Sequence, residues 1–310
     1  MPFVKEKFHV KQSMPAFVFI MRTFGFTQAE AQRLICKGRL LIDGESMRAT
    51  GKRIEGEVEI VHFKPLGRNN PPLFKTRDFM IFEKPSGVLV HPNTMTTEYS
   101  ILDEIRTYAG EKANATHRID METSGLLLAS SHKDAERYLK SAFEHREIRK
   151  SYLAWVDGKI ISPFSVSEPI KVNQDYSETK HKVFISTEGK SARTDFIPLK
   201  YDGTLDATLV ACYPHTGRTH QIRIHLFHVK HPILGDPIYG TTFEAANRYL
   251  DQTLSSNERM RETGAARLML HAQSLRFRYG AQFYIESKIN FEAERCHIAR
   301  PKERVFNKSR

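Results

Sequence analysis

His117-Arg118-Ile119-Asp120-Met121-Glu122-Thr123-Ser124-Gly125 runs directly into the apolar stretch Leu126-Leu127-Leu128-Ala129. A short apolar run behind a glycine reads as a buried strand, so Asp120 is placed where a loop leaves the core. There a carboxylate can be held and still face a ligand. Positive charge from Arg118 keeps such a group ionised at neutral pH, available as nucleophile or base. Taken alone, an aspartate in a polar turn is more often a backbone cap. The remainder of the chain decides between the two readings.

The chain has 310 residues, enough for one large or two unequal domains. Its formal net charge of +11 favours polyanions, with nucleic acid the first candidate. The charge is uneven: residues 1–75 carry 13 Lys+Arg against 7 Asp+Glu, and the other 235 carry 34 against 29. Cys36, Cys212 and Cys296 form no Cys-x-x-Cys pair, which fits a reducing cytoplasm and no disulfide framework. The early apolar run Met14 to Met21 is too short to span a bilayer and lacks a cleavage site, so neither a signal peptide nor a membrane segment is expected.

Residues 14–65 read as a compact α-then-β unit. Thr27 to Glu30 has the form of a capping box opening a helix with Ala31, Leu34 and Ile35 on one face, and Gly38 stops it. Leu40-Leu41-Ile42 then forms a strand, Asp43-Gly44 a tight turn and Val58 to Val61 another strand. Lys64 to Lys75, rich in Pro, Gly and Asn, has linker composition. Domain boundaries are therefore expected at 1–70, 71–291 and a basic C-terminal tail at 292–310. Beyond the linker, strands are expected at Phe79 to Phe82, Leu126 to Ala129, Ser151 to Asp157 and Ala207 to Tyr213. One clear helix carries Ala135, Leu139, Ala142 and Phe143 behind a cap near Ser131. Few helices and many Asp-Gly or Glu-Gly turns predict an α+β fold with a largely antiparallel mixed sheet. Residues 241–266 are polar and weakly patterned, as in a surface insertion.

Four segments occur in order: Glu83-Lys84-Pro85-Ser86-Gly87 through Pro92; the Asp120 segment; Arg149-Lys150-Ser151-Tyr152-Leu153-Ala154-Trp155-Val156-Asp157-Gly158; and Pro214-His215-Thr216-Gly217-Arg218-Thr219-His220-Gln221-Ile222-Arg223 with Gly235-Asp236-Pro237-Ile238-Tyr239-Gly240 beyond. Leu270-His271-Ala272 and Leu275-Arg276-Phe277 follow. Together they resemble the RluA-type pseudouridine synthases across about residues 78–280, with Ile119 standing where Leu is commoner. The helix, Lys37-Gly38-Arg39, strand and Asp43-Gly44 order of residues 14–65 resembles the small S-four RNA-binding domain, a small α/β unit placed before the catalytic domain. A layout of both kinds is similar to members acting on large-subunit ribosomal RNA. Transfer RNA is the alternative substrate, and a non-catalytic RNA-binding assembly factor the alternative function.

The resemblance implies that Asp120 is the essential catalytic carboxylate, that Tyr152 packs against the target base, and that Arg223 pairs with Asp120. Alternation of Tyr152, Ala154 and Val156 lets the Tyr152 ring reach a pocket while its phenol stays wet. Thr219 is expected to cap a helix whose Ile222, Leu226 and Val229 face the core, with Arg223 at the seam. Arg218 competes for the pairing role but suits a phosphate better. Arg118, Arg218 and His220 are candidate RNA contacts in the second domain, and Arg33, Lys37 and Arg39 in the first. The implied reaction detaches uracil at its glycosidic bond, turns it and reattaches it through carbon, with no redox change and no energy input. No cofactor and no metal are expected, and the protein is expected to be a monomer. His215, His220, His225, His228 and His231 near Cys212 lack the second cysteine of a zinc site. A zinc deaminase is disfavoured because the His-x-Glu and Pro-Cys-x-x-Cys pattern is missing. A flipped base is required, since uracil is out of reach inside a stack. Asp120 either attacks covalently or removes a sugar proton, and Tyr152 serves either as acid/base or as a stacking surface.

Overall fold

A computed structural model describes residues 2–175 and 180–299. Two compact units account for the chain: residues 1–69 with 91–107, and residues 70–90 with 108–310.

In the first unit an antiparallel sheet runs Phe3–Pro15, Arg53–Phe63, Leu40–Ile42, Glu45–Met47 in spatial order. Helices Ala16–Phe24 and Gln28–Cys36 share a core with it, through Ile20, Ala31, Ile35, Leu40, Val58 and Ile60. Thr27 and Glu30 close the capping box as expected: the Thr27 side chain accepts from Glu30 N–H while Glu30 accepts from Thr27 N–H. Asp43 and Gly44 both have positive φ, at 51° and 82°, which gives the two-residue hairpin between Leu40–Ile42 and Glu45–Met47. Strand Phe3–Pro15 and helix Ala16–Phe24 were not foreseen.

The expected boundary is also modified. Helix Ile101–Ala109 contributes two buried carboxylates: Asp103 accepts Leu66 N–H at 3.0 Å and Glu104 accepts Arg68 N–H. Segment 91–107 therefore groups with the first unit, and the start of the Pro/Gly-rich linker is tied down rather than free.

The second unit is built on a ten-stranded mixed sheet. Its path is Phe164–Val166, Thr194–Asp202, Ala207–Pro214, Arg149–Asp157, Leu270–Tyr279, Ser124–Ser130, Phe79–Lys84, Phe74–Lys75. Leu270–Tyr279 and Ser124–Ser130 pair in parallel, and the other strand pairings of this sheet among the described residues are antiparallel. All seven residues of Ser124–Ser130 are buried, in keeping with a central strand covered on both faces. Gly125 makes the parallel join possible. Its φ is +103°, and a Cβ there would lie 2.3 Å from the Ala272 carbonyl oxygen. Helix Lys133–Glu144 lays Leu139 and Ala142 on the Phe79, Leu126, Leu128 and Phe277 side of the core. Its cap is His132, whose side chain accepts from Ala135 N–H, and not Ser131.

Two further expectations are corrected. Residues 241–266 contain helices Phe243–Leu250 and Ser256–Thr263, capped by Thr242 and Ser255, and they bury Arg259. Residue 292 does not begin a loose tail. Glu292–His297 is a short 3-10 helix whose Glu294 pairs with Arg267 and Arg295 with Asp202, behind the buried ring of Phe291. The rest of the expected tail, 300–310, lies outside the described residues.

Candidate active site

Asp120 sits on the turn before strand Ser124–Ser130, closed by Thr123 N–H donating to the Asp120 carbonyl at 3.1 Å. A neighbouring loop clamps this turn. Lys84, fully buried, donates to the carbonyls of Pro85, Val88 and Met121 at 2.8, 2.8 and 2.9 Å. Gly87 N–H also reaches the Met121 carbonyl, and Ser86 Oγ donates to the Glu122 carbonyl at 2.6 Å. Burial drives the Lys84 pKa down to about 7, against the pull of the Asp120 and Glu122 carboxylates. Its three carbonyl acceptors tie the 84–88 loop to the Met121 turn, so Lys84 works as a staple under that turn.

Arg223 reaches Asp120 from helix Gln221–His228, Nη1 to Oδ2 at 3.2 Å. Its tighter partner is Asp236: Nε–Oδ2 is 2.7 Å and Nη2–Oδ1 is 2.8 Å. This is the planar two-point geometry that a guanidinium forms with a carboxylate. Asp236 is held in turn by Ile238 N–H and Tyr239 N–H at 2.9 and 3.0 Å. Arg223 is 4% exposed at the side chain, Asp236 1% and Asp120 29%, so one locked ion pair presents its spare N–H to a carboxylate that still meets solvent. Burial opposes the Arg223 charge, but Asp236 and then Asp120 outweigh it and its pKa is raised. Burial likewise opposes ionisation of Asp236, and Arg223 overcomes that to hold it below the usual carboxylate range.

The helix carrying Arg223 is not capped by Thr219. His220 precedes it in the left-handed region with φ 52°, and Gln221 fixes the entry. The Gln221 amide donates to the Arg193 carbonyl and Thr194 Oγ1, while its oxygen accepts Thr216 Oγ1 and Arg218 N–H. Residues Gln221 to Leu226 are all buried, so Arg223 lies inside the fold instead of at a seam.

The cleft around Asp120 is lined by Arg118, Lys150, Tyr152, Arg218, His220 and Arg223 among others. His220 faces inward: Nδ1 is 2.9 Å from the Tyr239 hydroxyl and Nε2 is 3.8 Å from Asp120 Oδ2. Burial and the nearby Arg223 push its pKa down to about 4, so it is neutral at pH 7. Arg218 leans outward, its Nε on the Ser191 carbonyl at 3.1 Å. Tyr152 reaches the cleft on strand Arg149–Asp157, but only 9% of it is exposed. Its phenol is not wet as expected: burial and the Asp120 charge push its pKa up, so it stays protonated. The remaining histidines diverge. His215 pairs with Asp195, His225 with Thr194 and the Glu168 carbonyl, and His231 with the Asp157 carbonyl.

Sequence reading missed Asp236 as the partner of Arg223, Lys150 as a cleft residue and the buried pair of Glu122 and Arg259 behind the Asp120 turn, and gave Lys84 no role of its own. A signal existed for Asp236, an acid inside the apolar run Ile233-Leu234-Gly235-Asp236-Pro237-Ile238, where a buried charge demands a partner. No local signal marks Arg259, which lies in a polar helix.

A cleft that gathers Arg118, Lys150, Arg218 and Arg223 around one half-buried carboxylate, on a mixed sheet, has the charge to hold an anionic ligand against a reactive acid. Residues 78–228 match the family of RNA pseudouridylate synthases. Over 285 residues the chain is 37% identical to a protein of Helicobacter pylori described as an uncharacterized RNA pseudouridine synthase, covering 92% of this chain and 93% of that one. It is 31% identical to ribosomal large subunit pseudouridine synthase C of Yersinia pestis, over 85% of this chain and 82% of that one. The structure of human RNA pseudouridylate synthase domain containing 1 superposes with a TM-score of 0.57 at 25% identity, covering 73% of this chain and 86% of the human one. The chain belongs to the RluA-type RNA pseudouridine synthases, isomerases that act on RNA.

Proposed function

We propose that this enzyme converts specific uridines of large-subunit ribosomal RNA to pseudouridine, with Asp120 as the essential carboxylate. The observation that carries the catalytic assignment is the shared guanidinium. Arg223 is locked on Asp236 and turns one N–H toward Asp120 at 3.2 Å, which orients that carboxylate in a cleft also lined by Arg118, Lys150 and Arg218. Support for the substrate comes from the similarity to a large-subunit ribosomal enzyme across most of both chains.

In this reading the cationic rim takes the backbone phosphates on either side of a flipped uridine. Asp120 acts on the sugar or base of that nucleotide as the C1′–N1 bond breaks. The uracil turns within the cleft, C1′–C5 forms, the C5 proton leaves and N1 takes up a proton, so the product is an isomer of the substrate. Tyr152 supplies a face for the base and, being held protonated, a hydroxyl donor rather than a resting base. The N-terminal unit acts as an S-four-like RNA clamp through Arg33 and Lys37, both exposed on or just past helix Gln28–Cys36. Arg39 is engaged over the Phe3 ring at 4.5 Å and serves that surface from behind.

Two measurements test this. Purified Asp120→Asn should bind RNA like the parent and lose pseudouridine formation on total RNA by at least a thousandfold. Residual turnover within tenfold of the parent sinks the catalytic assignment. Pseudouridine mapping in cells lacking the gene should show missing sites in large-subunit ribosomal RNA. Missing sites confined to transfer RNA would overturn the substrate.

A further inference from the structure

Helix Ser256–Thr263 carries a buried arginine that the chemistry just described does not use. Arg259 Nη1 and Nη2 donate to Glu122 Oε1 and Oε2 at 3.1 and 2.9 Å. Its Nε and Nη2 also donate to the Gly235 carbonyl at 3.2 and 2.6 Å. Glu122 is further held by the Tyr249 hydroxyl at 2.7 Å and by Leu268 N–H. Burial opposes the Glu122 charge, and Arg259 overcomes that penalty.

The two groups joined by Arg259 lie close in sequence to the two carboxylates that Arg223 holds, Asp120 in the cleft and Asp236 buried behind it. Glu122 lies two residues after Asp120 on the same closed turn, and Gly235 directly precedes Asp236. A ring of contacts results: Asp120 to Arg223, Arg223 to Asp236, Asp236 through the chain to Gly235, Gly235 to Arg259, Arg259 to Glu122, and Glu122 through the chain back to Asp120. Gly235 packs directly on the Arg267 backbone at this point. Its φ is +74°, and a Cβ there would fall 1.7 Å from the Arg267 carbonyl oxygen. Without Arg259, the Asp120 turn and the Asp236 loop keep the long Arg223–Asp120 contact, the His220 bridge between Tyr239 and Asp120, and the Leu268–Met269 backbone between Glu122 and Leu234, none of which is a two-point charged tie.

We propose that Arg259 is a positioning residue for this enzyme, setting the distance between Asp120 and Arg223 by tying Glu122 to the Gly235 carbonyl. The inference rests on the assignment of Asp120 made above. It gives the helices of segment 241–266 a function: they brace the catalytic turn from outside the cleft, touching no substrate.

The test compares full-length parent, Arg259→Lys, Arg259→Met and Glu122→Gln/Arg259→Met. Each is measured for melting temperature, RNA affinity, and single-turnover rate with enzyme in saturating excess, which reports only on folded complexes. Arg259→Lys keeps the buried charge but loses the planar fork, so it should melt close to the parent, bind RNA within threefold, and react at least tenfold more slowly. Arg259→Met strands the Glu122 charge and should lose both melting temperature and rate. The double variant removes that charge while leaving an acceptor for Tyr249; it should recover most of the melting temperature and little of the rate. A purely structural arginine predicts the reverse, and recovery of rate together with stability in the double variant, or a parental rate in Arg259→Lys, overturns the proposal. Asp120→Asn in the same assay separates the two readings. If it stays within tenfold of the parent, the Asp120 assignment fails by itself. If it is inactive while Arg259→Lys is parental, only the positioning role fails.

Discussion

Arg223 is the residue where the cost of burial and the needs of chemistry meet. Its two-point contact with Asp236 is nearly solvent-free, and such a pair is poor evidence of stability but strongly destabilising when only one partner is removed, by about 3–5 kcal/mol. Arg223→Ala should therefore damage folding as well as activity, because it leaves Asp236 charged and alone. Arg223→Lys is the cleaner probe. It should keep the fold and cut single-turnover pseudouridine formation at least a hundredfold, since one ammonium cannot hold Asp236 at two points and still orient Asp120. Arg218→Ala should instead weaken RNA binding, make its salt dependence shallower and leave the saturated rate within fivefold. The reverse pattern in kinetics and binding would make Arg218 the partner of Asp120. His220 supplies a pH signature at the same scale. Its folded pKa of about 4 lies below the value near 6.5 of an unfolded histidine, so between those pH values the unfolded chain binds the extra proton. The stability contributed by neutral His220 is thus intact above pH 6.5 and lost as pH falls toward 4, on the order of 3 kcal/mol in full. His220→Asn, which tolerates the left-handed backbone, should flatten that part of the urea-unfolding stability profile. A profile parallel to the parent would show that His220 does not resist protonation. The meeting of Asp120, Tyr152 and Arg223 in one cleft was legible in the sequence because each stands in a motif of its own. Asp236 as the locking partner was not, since nothing in a local pattern tells an arginine which of two distant acids it will grip more tightly.

At the scale of elements, the strand Ser124–Ser130 organises the second unit: it is buried throughout and carries the Asp120 turn at its head. Its parallel join to Leu270–Tyr279 brings His271 opposite Ser124, and Ser124 Oγ lies 2.9 Å from His271 Nδ1. Gly125→Ala should break this join, because the added Cβ meets backbone and not a side chain that can swing away. We expect a loss of several kcal/mol of stability, visible as a fall of more than 10 °C in melting temperature. A melting temperature within 3 °C of the parent would mean the strands separate at no cost. Strands of continuous apolar residues, such as Leu126 to Ala129 and Ala207 to Cys212, were readable because they are covered on both faces. Strand Phe3–Pro15 was not. Lys5, Lys7, His9 and Lys11 alternate there with Glu6, Phe8 and Val10, and the density of charge hides the period of two. Segment 241–266 misled for the opposite reason: helix Ser256–Thr263 is polar along most of its length, and the ties that hold the segment, the buried Arg259 guanidinium, the Tyr249 hydroxyl and the packing of Ala246, reach partners distant in sequence.

At the scale of the whole molecule, the uneven charge is the feature with a functional consequence. Residues 1–75 hold 13 of the 47 basic residues against 7 of the 36 acidic ones, and several of those acids are already matched, Glu59 by Lys5 and Glu6 by His62 and Lys64. Arg33 and Lys37 remain outward-facing on or just past a helix whose other side is packed into the core, a placement suited to phosphates. Removing the first 70 residues would not isolate this effect, because Asp103 and Glu104 would lose the Leu66 and Arg68 N–H groups they accept while buried. Substitution in the full chain is the better experiment. Arg33→Gln/Lys37→Gln changes two exposed side chains and leaves the capping box of Thr27 and Glu30 in place. If each cation neutralises one phosphate, the slope of log affinity against log salt should become shallower by about 1.4–1.8. Affinity for structured ribosomal RNA should fall roughly tenfold or more at low salt, while the single-turnover rate at saturation stays within twofold, because the cleft around Asp120 is untouched. An unchanged salt slope would mean that the first unit does not grip RNA through this helix, and the excess charge of residues 1–75 would then need another partner.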